Sequence, residues 1–246
     1  MIIVAILKHV AGKSADYGAA LDYLKYEHDE VLKRPLLDAN GNWVLRRDIL
    51  LEGINCEPEL FDVECEMLNA QYHKNQNYDE IKTHHYLISF DPADKDECGL
   101  TGEQAQAIGM EYVKANFPGH QALVCTHMDG HNGSGNIHVH IVINSLRKLN
   151  VPQQPFMERP IDCKAGYKHH LTKDYLKHLQ QSLMNICMRE SLNQVDLLSP
   201  SVNKITQQEY YAKQRGQINL DKLNAELIAE GFTPMKTKFQ TEKDKL

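Results

Sequence analysis

His127, His138 and His140 fall within one short stretch, Thr126 to Asn144, and are the residues best suited to do chemistry. In a strand, side chains alternate faces, so Ile137, Val139, Ile141 and Ile143 point one way while His138, His140, Val142 and Asn144 point the other. Two imidazoles therefore stand side by side. His127 ends the apolar run Ala122 to His127 and brings a third imidazole if the two strands pair across the loop Gly130 to Asn136. Three nitrogen ligands with positions left for substrate describe a catalytic divalent-metal site rather than a closed structural one. A single strand histidine is usually a surface or packed residue. Two at a spacing of two, with a third at the neighbouring strand's end, reverse that reading. Asp129 is suited to fixing an imidazole tautomer by hydrogen bonding, and His131 reads as a loop residue.

These residues need a framework, and turn signals with apolar periodicity divide the first 200 residues into mixed strands and helices without internal repeats. Ile2 to Leu7 reads as a strand. Ser14 to Glu27 carries Tyr17, Leu21, Leu24 and Tyr26 near helical spacing, which puts Tyr23 on or near an early helix. Asp38 to Gly41 is a hairpin-type turn, and Pro58 to about Asn75 a helix. His84 to Phe90 is a strand stopped by Asp91-Pro92. Thr101 and Gln104 form a capping box that opens a helix running toward Pro118-Gly119. Leu171 to Glu190 is a long amphipathic helix. Past Leu198 the chain is punctuated by Ser199-Pro200-Ser201, and Lys204 to Leu246 holds too few large apolar residues for a core of its own. The expected division is a catalytic domain over 1–198 and an extension over 199–246, the latter reading as the start of a further region of a longer protein.

The 246 residues, 42% apolar and 24% charged, have the composition of a soluble globular protein. No segment approaches the roughly 20 apolar residues of a membrane helix, and Ile2 to Leu7 lacks the basic flank of an export signal. The six cysteines form no CxxC pair, which suits reduced thiols and a cytoplasmic protein. A net charge of −6 argues against a general nucleic-acid coat, though not against an enzyme gripping a short single strand.

His138-Val-His140 between apolar flanks resembles the HUH signature of single-strand endonucleases. The fuller pattern, His127-x-Asp129 followed by Ile-His-x-His-x-x-x-Asn144, resembles motif III of MOB-P class conjugative relaxases (MobA/VirD-like). Leu-Asp-Tyr23-Leu-Lys-Tyr resembles their N-terminal catalytic tyrosine motif, and His85 to Phe90 the strand before their first long helix. The resemblance covers roughly residues 1–200. It implies an α+β fold with a central antiparallel sheet flanked by helices, the histidine strand at its centre and the Tyr23 helix over its face. It implies Tyr23 as nucleophile and His127, His138 and His140 as ligands of Mn or Mg, with Zn or Ni as alternatives. Asp129, Asn144 and His85 take supporting places. The implied activity is nicking and strand transfer at an origin of transfer through a 5′-phosphotyrosine link. The implied partners are single-stranded DNA, with or without an adjacent hairpin, relaxosome accessory proteins and a coupling protein. Lys8, Lys25, Arg147 and Lys148 are DNA-binding candidates by nearness to the motifs.

Relaxases place the tyrosine before the histidines and rolling-circle initiators after them, so Tyr23 favours the former. Tyr26 and the downstream Tyr175 and Tyr210, the last in Tyr-x-x-Lys213, are the competitors. A small-molecule metallo-hydrolase is the second reading, but its flanks differ: a lactamase-type site wants an aspartate where Val142 stands, and a cupin a glutamate where Asn144 stands. A non-catalytic DNA-binding accessory is the third, disfavoured because all three histidines are present.

Overall fold

The computed structural model describes residues 6–13, 16–29, 34–128, 136–194, 196–199 and 207–235, and in the last segment leaves out the side chains of 207–215, 217 and 218. Its frame is a five-stranded antiparallel sheet in the order β1-β5-β7-β6-β4. The strands are β1 (Ile6–Gly12), β4 (Ile49–Ile54), β5 (Thr83–Ser89), β6 (His120–His127) and β7 (His138–Arg147). A separate ribbon pairs β2 (His28–Asp29) with β3 (Arg34–Pro35). The chain thus has the expected mixture of a central antiparallel sheet and helices.

Helix α1 (Gly18–Lys25) follows β1, and α2 (Phe61–Tyr72) follows a 3-10 turn at Pro58–Leu60, where proline fits a helix start because its missing N–H is not needed. Helix α3 (Pro92–Asp96) is capped by Asp91. The expected capping box is present at α4 (Gly102–Asn116): Thr101 Oγ1 accepts from Gln104 N, and Gln104 Oε1 from Thr101 N. Helix α5 (Lys173–Arg189) occupies most of the expected Leu171 to Glu190.

Of the anticipated first strand, Ile6 and Leu7 are in β1, and residues 2–5 lie outside the described residues. Strand β4 and helix α6 (Gln207–Ala229) were not expected from the sequence.

Packing separates the sheet's faces. Tyr86, Ile88, Val124, Val139, Ile141 and Ile143 bury one face beneath α4 and α5. The opposite face carries Leu123, Cys125 and Val142 beneath Tyr17, Leu21 and Leu24 of the α1 region and Phe61 and Cys65 of α2. Contacts divide the chain into two compact units: Met1–His28 with Pro35–Ser199, and Asp29–Arg34 with Pro200–Leu246. The first holds the whole sheet.

Candidate active site

β7 is central, buried along its whole length and paired on both sides, so its histidines have fixed neighbours. The register sets His127 of β6 opposite His138, and sets Cys125 of β6 and Leu87 of β5 opposite His140. Residues directly opposite in an antiparallel pair share a face. His127, His138 and His140 therefore stand on the α1/α2 face, as does His85, which is opposite Val142. The ring of His140 lies 4.4 Å from that of His127 and 6.4 Å from that of His138, centroid to centroid.

Tyr23 comes to the same place from α1. Leu21 and Leu24 face the core, and Tyr23 sits on the flank of that stripe, partly buried against it. Its ring stands edge-on to His140 at 5.7 Å and to His85 at 5.8 Å, and tilts against His28 at 5.2 Å. Helix and histidines are also joined by a hydrogen bond. The last-turn carbonyl of Leu24 has no partner within a helix this short, and Nε2–H of His127 donates to it at 2.9 Å.

This bond and a second, between His140 and His85, bear on metal ligation. A carbonyl only accepts, so the His127 bond puts that ring's proton on Nε2 and its lone pair on Nδ1. His140 Nδ1 lies 3.0 Å from His85 Nε2, and in the tautomer in which His140 is the donor its lone pair is on Nε2. Metal-binding histidines commonly hold their other nitrogen in this way. The donor set fits a divalent ion in type, face and orienting bonds, although among the described residues no group of three or more is drawn together around a common point. Burial pushes the His85 imidazole down to about 4, with Lys8 and His9 adding to the shift, so at neutral pH this ring is an uncharged neighbour.

The remaining sequence candidates scatter. Lys8 is registered with Leu87 and so lies on the histidine face. Lys25 is paired with Glu59 at 2.8 Å. Arg147 is buried, with its Nε donating to the carbonyl of Asp162, and burial lowers its pKa. Lys148 donates to Glu64 and to the carbonyl of Asn55, about 26 Å along β7 from His140 at the usual strand rise. Asn144 shares the histidine face but is buried, donating to Gln121 Oε1 and accepting from Leu146 N. Asp129 and His131 lie outside the described residues.

Of the competing tyrosines, Tyr175 is buried beneath the opposite face, its hydroxyl donating to the carbonyl of Asn116. Burial raises its pKa, which disfavours a phenolate. The Tyr26 ring stands edge-on to Trp43 at 5.4 Å. Tyr210 is in α6, in the second unit, with its side chain outside the described residues.

Sequence reasoning missed His28. Its Nδ1–H donates to the carbonyl of Tyr26 at 2.9 Å, leaving Nε2 as its basic nitrogen. A histidine in a two-residue strand gives no periodic signal.

With three imidazoles and a tyrosine placed on one sheet face, comparison with known proteins adds a family and relatives that the chain resembles. Residues 44–151 match the family described as "Relaxase: MobA/VirD2-like, nuclease domain". The matched span contains His85, His127, His138 and His140; Tyr23 precedes it.

Two curated relatives, both Protein rlx of Staphylococcus aureus, are similar to it. One is 27% identical over 152 residues, 62% of this chain and 40% of the relative. The other is 26% identical over 176 residues, 72% of this chain and 44% of the relative. The chain thus matches less than half the length of either. A solved structure, the MobM relaxase domain (MOBV; Mob_Pre) bound to 26-nucleotide pMV158 oriT DNA, aligns over 85% of this chain and 99% of that one, with a TM-score of 0.47 and 15% identity.

Proposed function

We propose that the chain nicks one strand of DNA at an origin of transfer and holds the cut end through a 5′-phosphotyrosine bond to Tyr23. The observation that carries this reading is the ring of Tyr23 standing 5.7 Å from His140 on the face shared by His127 and His138.

A scissile phosphate is anionic and resists attack by another oxygen. His127, His138 and His140 would hold a divalent metal, whose positive charge would be supplied at that phosphate. Helix α1 holds Tyr23 beside that position, which replaces a chance encounter with a fixed approach. The Tyr23 oxygen bonds to phosphorus as the bond from phosphorus to the 3′ oxygen breaks. The phenolic proton passes to Nε2 of His28, directly or through one water, and the departing 3′ oxygen takes a proton from solvent. One phosphodiester is exchanged for another, so the reverse reaction rejoins a strand without ATP.

The test is incubation of the chain with Mn²⁺ or Mg²⁺ and short single-stranded oligonucleotides from its own genetic element. A DNA-protein adduct is expected, with the nucleotide remnant on the Tyr23 peptide by mass spectrometry. Tyr23→Phe keeps the ring and its packing, so it is expected to fold and bind the oligonucleotide while forming no adduct. A remnant on another tyrosine overturns the assignment. Hydrolysis of the strand by Tyr23→Phe at the wild-type rate would point to attack by water instead.

A further inference from the structure

The segment that follows α1 builds a small apolar surface which the proposed chemistry does not use. Glu27 N donates to Val44 O, Val44 N to Leu36 O, and Leu36 N to Glu27 O, knitting three short extended stretches together. Tyr26 is bridged to Leu45 and Leu37 to Trp43, both antiparallel. Bridged residues share a face, as do residues two apart on a strand. Tyr26, Leu37, Trp43 and Leu45 therefore form one surface, and the edge-on packing of Tyr26 and Trp43 agrees with that. Leu37, Trp43 and Leu45 are 59%, 46% and 55% exposed. The turn between the bridged strands is held by Asp38, whose carboxylate accepts from the backbone N–H of Asn40 and Asn42, and by Gly41 in a left-handed conformation.

We propose that Trp43 is a stacking platform for a nucleobase of the single strand whose phosphate Tyr23 attacks. This inference rests on the proposed function. The surface is continuous with the candidate site, because Tyr26 closes α1 three residues after Tyr23 and its ring packs on Trp43. Its size also selects its occupant. Three side chains of this kind expose a few hundred Å² at most, far below the roughly 800 Å² per partner that a stable protein interface buries, but enough for one or two flat bases. An indole face accepts any base, since every base has a π-face, and it suits a strand whose bases are unpaired.

The chain's single tryptophan is Trp43, so tryptophan fluorescence excited on the red edge, beyond tyrosine absorption, reads this position alone. The experiment titrates Tyr23→Phe chain at low salt with a 15-nucleotide oligothymidylate, with the same length of abasic strand, and with the oligothymidylate annealed to its complement. Quenching by the single strand is expected, with little or none from the abasic strand or the duplex. By anisotropy of a labelled oligothymidylate, Trp43→Ala is expected to lose on the order of 5- to 150-fold in affinity and Trp43→Phe to recover most of it. Binding without quenching, or equal quenching by the abasic strand, overturns the platform. Unchanged affinity in Trp43→Ala alongside normal Tyr23 adducts in the Tyr23-intact chain overturns it and leaves the nicking reading standing, whereas failure to bind both the oligothymidylate and a single strand from the chain's own genetic element removes both. A change of oligomeric state on Trp43→Ala, seen by sedimentation without DNA, also overturns it and assigns the face to a second copy of the chain.

Discussion

His85 was anticipated as a supporting residue, and the role proposed for it is to orient His140. It lies on the next strand, on the histidine face, with its Nε2 3.0 Å from Nδ1 of His140. If that bond orients His140 as a ligand, His85→Ala weakens divalent-metal binding by about 10- to 100-fold, the usual consequence of losing such a partner. Tyr23→Phe leaves metal affinity unchanged. Calorimetric titration with Mn²⁺ checks both, and wild-type affinity in His85→Ala sinks the orienting role. His28 divides the effects differently. His28→Gln is expected to keep metal affinity and DNA binding while slowing adduct formation about 100-fold, the typical contribution of a positioned base. An unaltered rate at neutral pH would remove His28 from the proton path. His138 and His140 were legible because the strand period places both on one face. The His85–His140 pair was less so, since it depends on β5 lying beside β7, and strand order is not written in either segment.

Among the elements, the clearest signals belonged to those with local chemistry of their own. Thr101 and Gln104 announce α4 because each satisfies the other's backbone N–H. Strand β4 escaped because Ile49, Leu50 and Leu51 run together without alternation and Glu52-Gly53 then breaks the run, leaving too short an apolar signal to separate strand from helix. Helix α6 escaped because few large apolar residues were taken to mean no element, yet its end carries a stop signal. Gly231 has positive φ, its N–H donates to Ile228 O, and Phe232 N donates to Leu227 O, the bonds of a Schellman ending. How closely α4 approaches the sheet was not legible, and Gly109 decides it. A Cβ there meets Val139 Cγ1 at 2.5 Å and Val124 Cγ1 at 2.9 Å. Both are stiff β-branched side chains on the two central strands, and Val139 separates His138 from His140. Gly109→Ala gains about 1 kcal/mol of helix propensity against about 1–3 kcal/mol of overpacking. The second term is expected to win because neither valine can turn aside within a full core. Tm should fall by about 2–4 °C for each net kcal/mol in a chain of this size. A Tm at or above wild type in differential scanning calorimetry contradicts the close-packing account.

For the whole molecule, the notable feature is that histidines occupy both faces of one sheet, because β5 carries His84 and His85 in succession. On the face away from Tyr23, His84 Nδ1 lies 2.9 Å from Nε2 of His9 on β1. His169 is hydrogen-bonded to the Tyr86 hydroxyl at 2.8 Å, and His120 Nδ1–H donates to Asn144 O at 2.9 Å. Lys168 and Arg147 act on this cluster as cations, and Phe117 and Tyr175 pack against His169. Burial lowers His84 to about 3, with His9 and Lys168 adding to it, and lowers His120 to about 3, with Arg147 adding to it. It takes His169 well below its ordinary value. In the unfolded chain each of these rings binds a proton near pH 6.5. Between there and pH 3 the unfolded state therefore holds more protons than the folded one, and stability falls as pH falls. A unit of depression corresponds to about 1.4 kcal/mol. Two groups lowered this far thus oppose a total stability of about 5–15 kcal/mol with a term of similar size. Carboxylates held low by cations, such as Glu80 beside Lys168, begin to cost stability only as pH falls toward about 5, so they contribute little to loss between pH 7 and pH 5. The urea midpoint is accordingly expected to drop steadily from pH 7 to pH 5, and His120→Asn to flatten that slope while lowering stability at pH 7. A midpoint that stays level down to pH 5 and falls only afterwards assigns acid unfolding to the carboxylates and removes the histidine cluster from the account.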